Sequence, residues 1–194
     1  MKMQIKNSHR ATIAITFLAT LLTMTACNEK KETDPVTAVT QMKAPTIDIH
    51  SAVMTDNMEA IKQHIAAGSN LNEKDPLGGS SPLISASLFG KTAIAKILID
   101  AGADLNFINN DGSTALHTAA FFCRPEIVKM LLDKHADKTI KNKYGQTAYE
   151  SVAGSFADVK NTYDALGQML GPMGLKLDYR YLEKTRPEIA AMLK

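Results

Sequence analysis

The chain has 194 residues, enough for one ordinary domain plus extensions. It is 45% hydrophobic and 22% charged, with no Trp; this is the make-up of a folded soluble protein rather than of a disordered or membrane-embedded one. The formal charge is +2, but Lys2, Lys6 and Arg10 lie in a removable N-terminal segment with no acid before residue 27, so the remainder carries −1. That balance gives no electrostatic reason to expect nucleic acid as a partner.

Residues 1–10 are polar and basic, residues 11–24 almost wholly apolar, and Thr25-Ala26-Cys27 follows. A positive start, a short apolar run and a small residue before the cut read as a secretory signal over 1–26. The run is too short to span a bilayer comfortably as a permanent helix, which weighs against an uncleaved anchor; an ordinary signal with a chance Cys is the other alternative. Met24-Thr25-Ala26-Cys27 resembles a bacterial lipobox, with Met where that family usually has Leu. The resemblance implies cleavage before Cys27 and lipidation of its thiol, and several acyl chains on one residue give stable anchoring. Asn28 is not the Asp that resembles an inner-membrane retention signal. The implied destination is therefore the periplasmic face of the outer membrane. Residues 28–44 are polar, of mixed charge and without apolar periodicity. They read as a flexible tether that would hold the domain on the order of 25 Å from the lipid.

From residue 47 the chain repeats itself. Ser81-Pro82-Leu83-Ile84-Ser85-Ala86, Thr114-Ala115-Leu116-His117-Thr118-Ala119 and Thr147-Ala148-Tyr149-Glu150-Ser151-Val152 start 33 residues apart, twice. Ala93–Asn106 and Glu126–Asp137 recur later in two of the units, and a degenerate first copy runs from Ile47 to Asn72. Such a period marks a stack of small units that bury their faces against neighbours. Thr114 is placed to cap a helix, Pro82 to open one, and Ile127, Met130 and Leu131 to form an apolar face. Gly102 falls where a left-handed residue ends a helix, and His135 takes that place in the next unit at a local cost. Asp111-Gly112 and Tyr144-Gly145 mark turn tips.

The pattern Thr-Pro-Leu-His-x-Ala-Ala, Ile-Val-x-x-Leu-Leu, Gly-Ala-Asp-x-Asn is that of the ankyrin repeat, which residues 47–154 resemble. The resemblance implies an all-α solenoid of helix–turn–helix units over about 47–80, 81–113 and 114–146, with a fourth starting at 147. Phe156–Leu170 reads as a longer helix stopped by Gly171-Pro172, and 177–184 with 187–193 as a further helical pair. Residues 155–194 then form a modified last repeat, a helical cap over the end of the stack. Phe121-Phe122-Cys123-Arg124-Pro125 and this tail also resemble a subgroup of bacterial ankyrin-repeat proteins.

No constellation for catalysis is visible. CxxC, HExxH, GxSxG and phosphate-cradling loops are missing from the sequence, no metal site is expected, and no cofactor is implied. His50 and His117 hold the repeat's own histidine position, where the family implies a structural hydrogen bond. His64 and His135 are expected to be solvated or capping. Cys27 being committed to lipid, Cys123 is left unpaired. It reads as a small buried hydrophobe or, less simply, as a redox-sensitive thiol.

Ankyrin stacks bind through turn tips and the concave face of their first helices. The positions following the Ala-Ala pair are expected to face outward, giving an apolar stripe of Met54, Leu88, Phe89, Phe121 and Phe122. Asn110, Asp111, Lys143 and Tyr144 supply a neighbouring set at the tips. The alternative is that the C-terminal helices fold back over this stripe. The expected protein is a monomeric, membrane-anchored scaffold or inhibitor with an unknown protein partner, in one version an accessory or immunity protein for a secreted or envelope protein. A different reading is an envelope-stress lipoprotein acting through Cys123.

Overall fold

The computed structural model describes residues 43–194, so the expected signal segment, Cys27 and nearly all of the tether lie outside the described residues. Every regular element among the described residues is helical. Three helix pairs come first: α1 (Ile49–Met54) with α2 (Met58–Ala66), α3 (Pro82–Phe89) with α4 (Thr92–Asp100), and α5 (Ala115–Phe121) with α6 (Pro125–Asp133). The fourth unit opens with the short α7 (Glu150–Ala153), continues through α8 (Phe156–Leu170) and a 3-10 turn at Gly171–Met173, and closes with α9 (Tyr179–Leu193). Among the described residues no helix is long and apolar enough to cross a membrane.

The first helix of each unit starts the same way. Asp48, Ser81 and Thr114 stand in extended backbone, and each side chain accepts the amide three residues on. These bonds satisfy donors that a helix start otherwise leaves orphaned. At α5 the cap is reciprocal, with the imidazole of His117 accepting the Thr114 amide at 3.2 Å. Each first helix ends on a left-handed residue at one recurring position: Asp56 (φ 58°), Gly90 (φ 65°) and Cys123 (φ 52°). Second helices end likewise at Gly68 (φ 70°), Gly102 (φ 84°) and His135 (φ 61°). Glycine holds this conformation without strain, whereas a side chain there costs about 1–2 kcal/mol.

The units stack by like elements: α1 on α3 on α5 on α7, and α2 on α4 on α6 on α9. The fully buried Ile61, Leu83, Ile94, Leu98, Leu116, Ile127 and Leu131 belong to one continuous core through the stack. α9 is therefore the second helix of the fourth unit, and α8 is a segment inserted between that unit's two helices. The sequence suggests a helical pair over 177–193, but α9 is one helix with Pro187 inside it. Pro125 stands at the first turn of α6, where proline is at home. The matching Pro187 has become interior because α9 begins two turns earlier. The cost is the bond its missing N–H would have given to the carbonyl of Glu183.

Candidate protein-interaction surface

Successive units are tied at their turn tips by one device. Asp75, Asn109 and Asn142 each stand at the base of a tip and accept backbone amides from within it. Asp75 takes those of Leu77 and Gly78 at 2.8 and 2.7 Å, and Asn109 those of Asp111 and Ser113 at 3.0 and 2.9 Å. Asn142 takes those of Tyr144 and Gln146 at 3.0 and 3.1 Å. These bonds hold the Asp75 carboxyl below its ordinary range, against the opposing effect of its partial burial. The tips then bond to one another, Asn110 N–H to Gly78 O at 2.9 Å and Lys143 N–H to Asp111 O at 2.8 Å. A side chain at Gly79 would displace that of Asn110 and would stand in left-handed backbone (φ 65°), so space and conformation both favour glycine at the first tip.

A second ladder runs along the loops that follow the second helices. Asn72 accepts the Asp104 amide and Asn106 that of Asp137, both at 2.9 Å. Thr139 occupies the equivalent place in the third unit, and the ladder ends there.

The tip residues singled out from sequence are all at the surface: Asn110, Asp111, Lys143 and Tyr144 are exposed, with Tyr144 at 73%. Leu77 at the first tip is 76% exposed and Ile108, just before the second, 49%. These two escape a reading that looks only for polar residues at tips. An apolar residue beside a Gly-Gly turn is the signal that points to Leu77.

The apolar stripe is less open than expected. Met54, Leu88, Phe89 and Phe121 are half-buried, and the last three pack against the core. Phe122 is a correction, since it is 5% exposed and belongs to the core. The physical reason is α8, which crosses the end of α5. Tyr163 of α8 is fully buried, stacks on Phe121 at 4.6 Å between ring centroids, and meets Phe122 edge-on at 6.3 Å. Its hydroxyl donates to the carbonyl of Phe121, and burial pushes its pKa up to about 12. The inserted helix thus seals the last third of the stripe and leaves Met54, Leu88 and Phe89 outside the seal.

Cys123 is fully buried, and burial pushes its thiol up to about 11. At neutral pH the group is a protonated thiol, and the sulfur packs in the core with its S–H facing Leu182 O at 3.7 Å. The neighbouring Arg124 reaches back to the previous unit and donates to Leu88 O at 3.3 Å. Its guanidinium lies 2.9 Å from where a Gly90 side chain would begin, so a larger residue at 90 would push Arg124 aside. One unit earlier Lys91 reaches back in the same way, to Asp56 at 3.3 Å.

Three of the described histidines make structural bonds. His117 bonds the Gln146 carbonyl of the following turn at 3.1 Å, and burial lowers its pKa. His50 makes the matching bond to Glu73 O at 3.1 Å. His64 is 7% exposed rather than solvated and joins Ile47 O at 2.8 Å to the Ser69 hydroxyl at 3.0 Å.

Residues 49–142 match the family model for ankyrin repeats, in three copies. These residues are ankyrin repeats. The chain is 36% identical over 64 residues to protein phosphatase 1 regulatory subunit 27 of Homo sapiens and of Mus musculus, covering 33% of this chain and 41% of each relative. It is 34% identical over 59 residues to the human DNA-binding protein RFXANK, covering 30% of this chain and 23% of that one. The match therefore spans about two fifths or less of the curated relatives' length. The crystal structure of the ankyrin repeat domain of Bcl-3 superposes with a TM-score of 0.52 at 29% identity, covering 53% of this chain and 45% of that one.

Proposed function

We propose that this protein is a membrane-anchored ankyrin scaffold that holds a protein partner at the cell envelope, most simply as an accessory or inhibitory protein for a secreted or envelope protein. One observation carries the choice of binding face. The turn tips are bonded into a continuous edge, with Leu77 and Tyr144 projecting from it at 76% and 73% exposure. A pre-organised edge loses little conformational freedom on binding, and exposed large apolar groups on such an edge are natural anchors. Asn110, Asp111 and Lys143 supply polar neighbours, with Met54, Leu88 and Phe89 as flanking apolar surface.

The placement at the membrane rests on the N-terminal sequence: lipid on Cys27, export by the signal segment, and Asn28 favouring the periplasmic face of the outer membrane. Likeness to a bacterial lipoprotein subgroup with ankyrin repeats and the expectation of a monomer belong to the same reading. The regulatory subunit among the relatives supports a partner-directed role by its name. The DNA-binding name of another is not carried over, because the chain past residue 26 has a formal charge of −1. A binding module rather than an enzyme is the reading favoured, and the redox alternative loses its support with the burial of Cys123.

The test is a crosslinking pull-down from membranes with the tagged full chain, the Leu77→Ser/Tyr144→Ser double variant and the Cys27→Ser variant. A specific band lost in the double variant, with helical content unchanged, supports the tip edge. A band that survives it sinks the assignment of the face. Membrane association that persists in Cys27→Ser sinks the lipid anchor.

A further inference from the structure

Arg186 of α9 is 3% exposed, and among the described residues no carboxylate pairs with it. Its guanidinium donates to three neutral oxygens: Tyr163 Oη at 3.1 Å, Gly154 O at 3.3 Å and Ser151 O at 3.4 Å. Its Nε–H has no partner. Two of these acceptors belong to the C-terminal end of α7, a favourable place for a cation, but that helix has a single turn and the bonds are long. A buried cation held only this way is under-compensated, since buried charges are ordinarily paired with a charge of opposite sign.

Arg186 also lines a cleft of about 200 Å³ between the α7–α8 turn and α9, with its Nε–H buried just behind the wall. The other wall is the N-terminal end of α8, at Gly154, Ser155 and Phe156. That helix has 15 residues, and although Ser155 takes the Ala157 and Asp158 amides, its dipole leaves partial positive charge at this wall of the cleft. Two acids temper it: Glu183 lines the cleft and Asp158 sits in the first turn of α8. One planar cation and a helix N-terminus, flanked by two carboxylates, suit a singly charged planar anion better than a doubly charged tetrahedral one.

We propose that this cleft is a binding site for a carboxylate group, held by Arg186 and the N-terminus of α8. It stands apart from the tip edge and does not depend on that edge binding anything. Arg186 also holds Tyr163, which closes the stripe at Phe121, so an occupied cleft fixes α8 more firmly on the stack.

The experiment is a titration of the full chain in detergent, following the Arg186 Nε–H resonance by nitrogen-15 NMR. Acetate is added at constant ionic strength against chloride, with inorganic phosphate as the comparison anion. The expected result is a saturable shift with acetate, at least several-fold tighter than with phosphate and without counterpart in chloride. Glu183→Gln removes a competing charge and should tighten acetate several-fold. No saturable shift overturns the site, and tighter phosphate overturns the carboxylate assignment. A resonance that moves in Glu183→Gln and ignores acetate also overturns it, because Glu183 is then the partner in solution. Arg186→Lys keeps the charge but loses the planar fork, and should lose the acetate response. Should that variant not fold, the wild-type and Glu183→Gln titrations still decide. An acetylated trialanine with a free C-terminus is compared with its amidated form. Binding by the free form tighter than acetate identifies a polypeptide end as the source, and equal binding a small organic acid.

Discussion

The first three units and the fourth solve the same problem by different means. In the repeats the recurring polar groups bond within their own unit or to an adjacent one, at positions that return with the 33-residue period. Asx side chains brace the tips, Asn72 and Asn106 bond one unit forward, and His117 bonds the following turn. In the fourth unit the bonds follow no such period: Tyr163 reaches Phe121, Arg186 reaches Ser151 and Tyr163, and Cys123 of the third unit faces Leu182. The fourth unit's stability then rests on a few irreplaceable contacts rather than on many equivalent ones.

The largest way to break this comparison is at Tyr163. Its ring stacks between Phe121 and Phe156 at 4.6 and 5.7 Å, and it is fully buried. Tyr163→Ala should cost about 3–5 kcal/mol in urea unfolding. Tyr163→Phe keeps the ring but leaves the Phe121 carbonyl and Arg186 short of a partner, for about 1–3 kcal/mol. Equal costs for the two would mean that the hydroxyl network, not the packing, holds α8. A cost near zero for both would mean that α8 does not seal the stack in solution.

Phe122 and Phe89 come next. They follow the same Ala-or-Ser run one unit apart, yet only Phe122 lies under α8. Phe122→Ser should cost about 3 kcal/mol or more as a buried deletion, and Phe89→Ser no more than about half of that. Similar losses for the two would erase the distinction between sealed and open parts of the stripe.

A smaller effect separates the units by pH. Burial lowers the folded-state pKa of His117, so between that value and the ordinary 6.5 the unfolded chain binds more protons. Stability from this group is then full above about pH 7.5 and falls as pH drops through 6.5, by at most about 1.4 kcal/mol per pH unit, until the folded histidine also protonates. His117→Gln should flatten that slope in urea titrations at successive pH values. An unchanged slope would assign the acid sensitivity elsewhere.

How much of this could be read from the sequence follows the same divide. The 33-residue spacing locates the first three helix pairs, the cap at Thr114, the helix start at Pro82 and the left-handed site at Gly102, because those features are set by residues within one unit. The covering of Phe122 was open, since local pattern gives the face of a side chain but not what lies on it. His64 of α2 looks isolated in the sequence because its partner Ile47 lies ahead of α1, a whole helix upstream. α9 was divided at Pro187 because proline usually marks a start, and only its stacking on α6 shows that the start moved upstream. Arg186 carried no signal at all: its neighbours come from α7 and α8, and nothing in Thr185-Arg186-Pro187 foretells a buried cation.

The smallest effect has the sharpest logic, since it turns on one backbone conformation in two surroundings. His135 (φ 61°) and Cys123 (φ 52°) both hold left-handed positions that glycine occupies one unit earlier. His135 is exposed, so His135→Gly removes about 1–2 kcal/mol of strain against about 0.4–1 kcal/mol of added unfolded-state entropy. The net gain should be about 0.5–1 kcal/mol, read as a higher urea midpoint with unchanged slope. Cys123→Gly relieves the same strain but deletes a fully buried side chain that faces α9 at Leu182. The cavity outweighs the relief, and that variant should be less stable than the parent by about 1 kcal/mol. A stabilised Cys123→Gly would mean that the last unit leans on the stack less tightly than its buried contacts imply, and that the strain at the end of α5, rather than the seal made by α8 and α9, governs this junction.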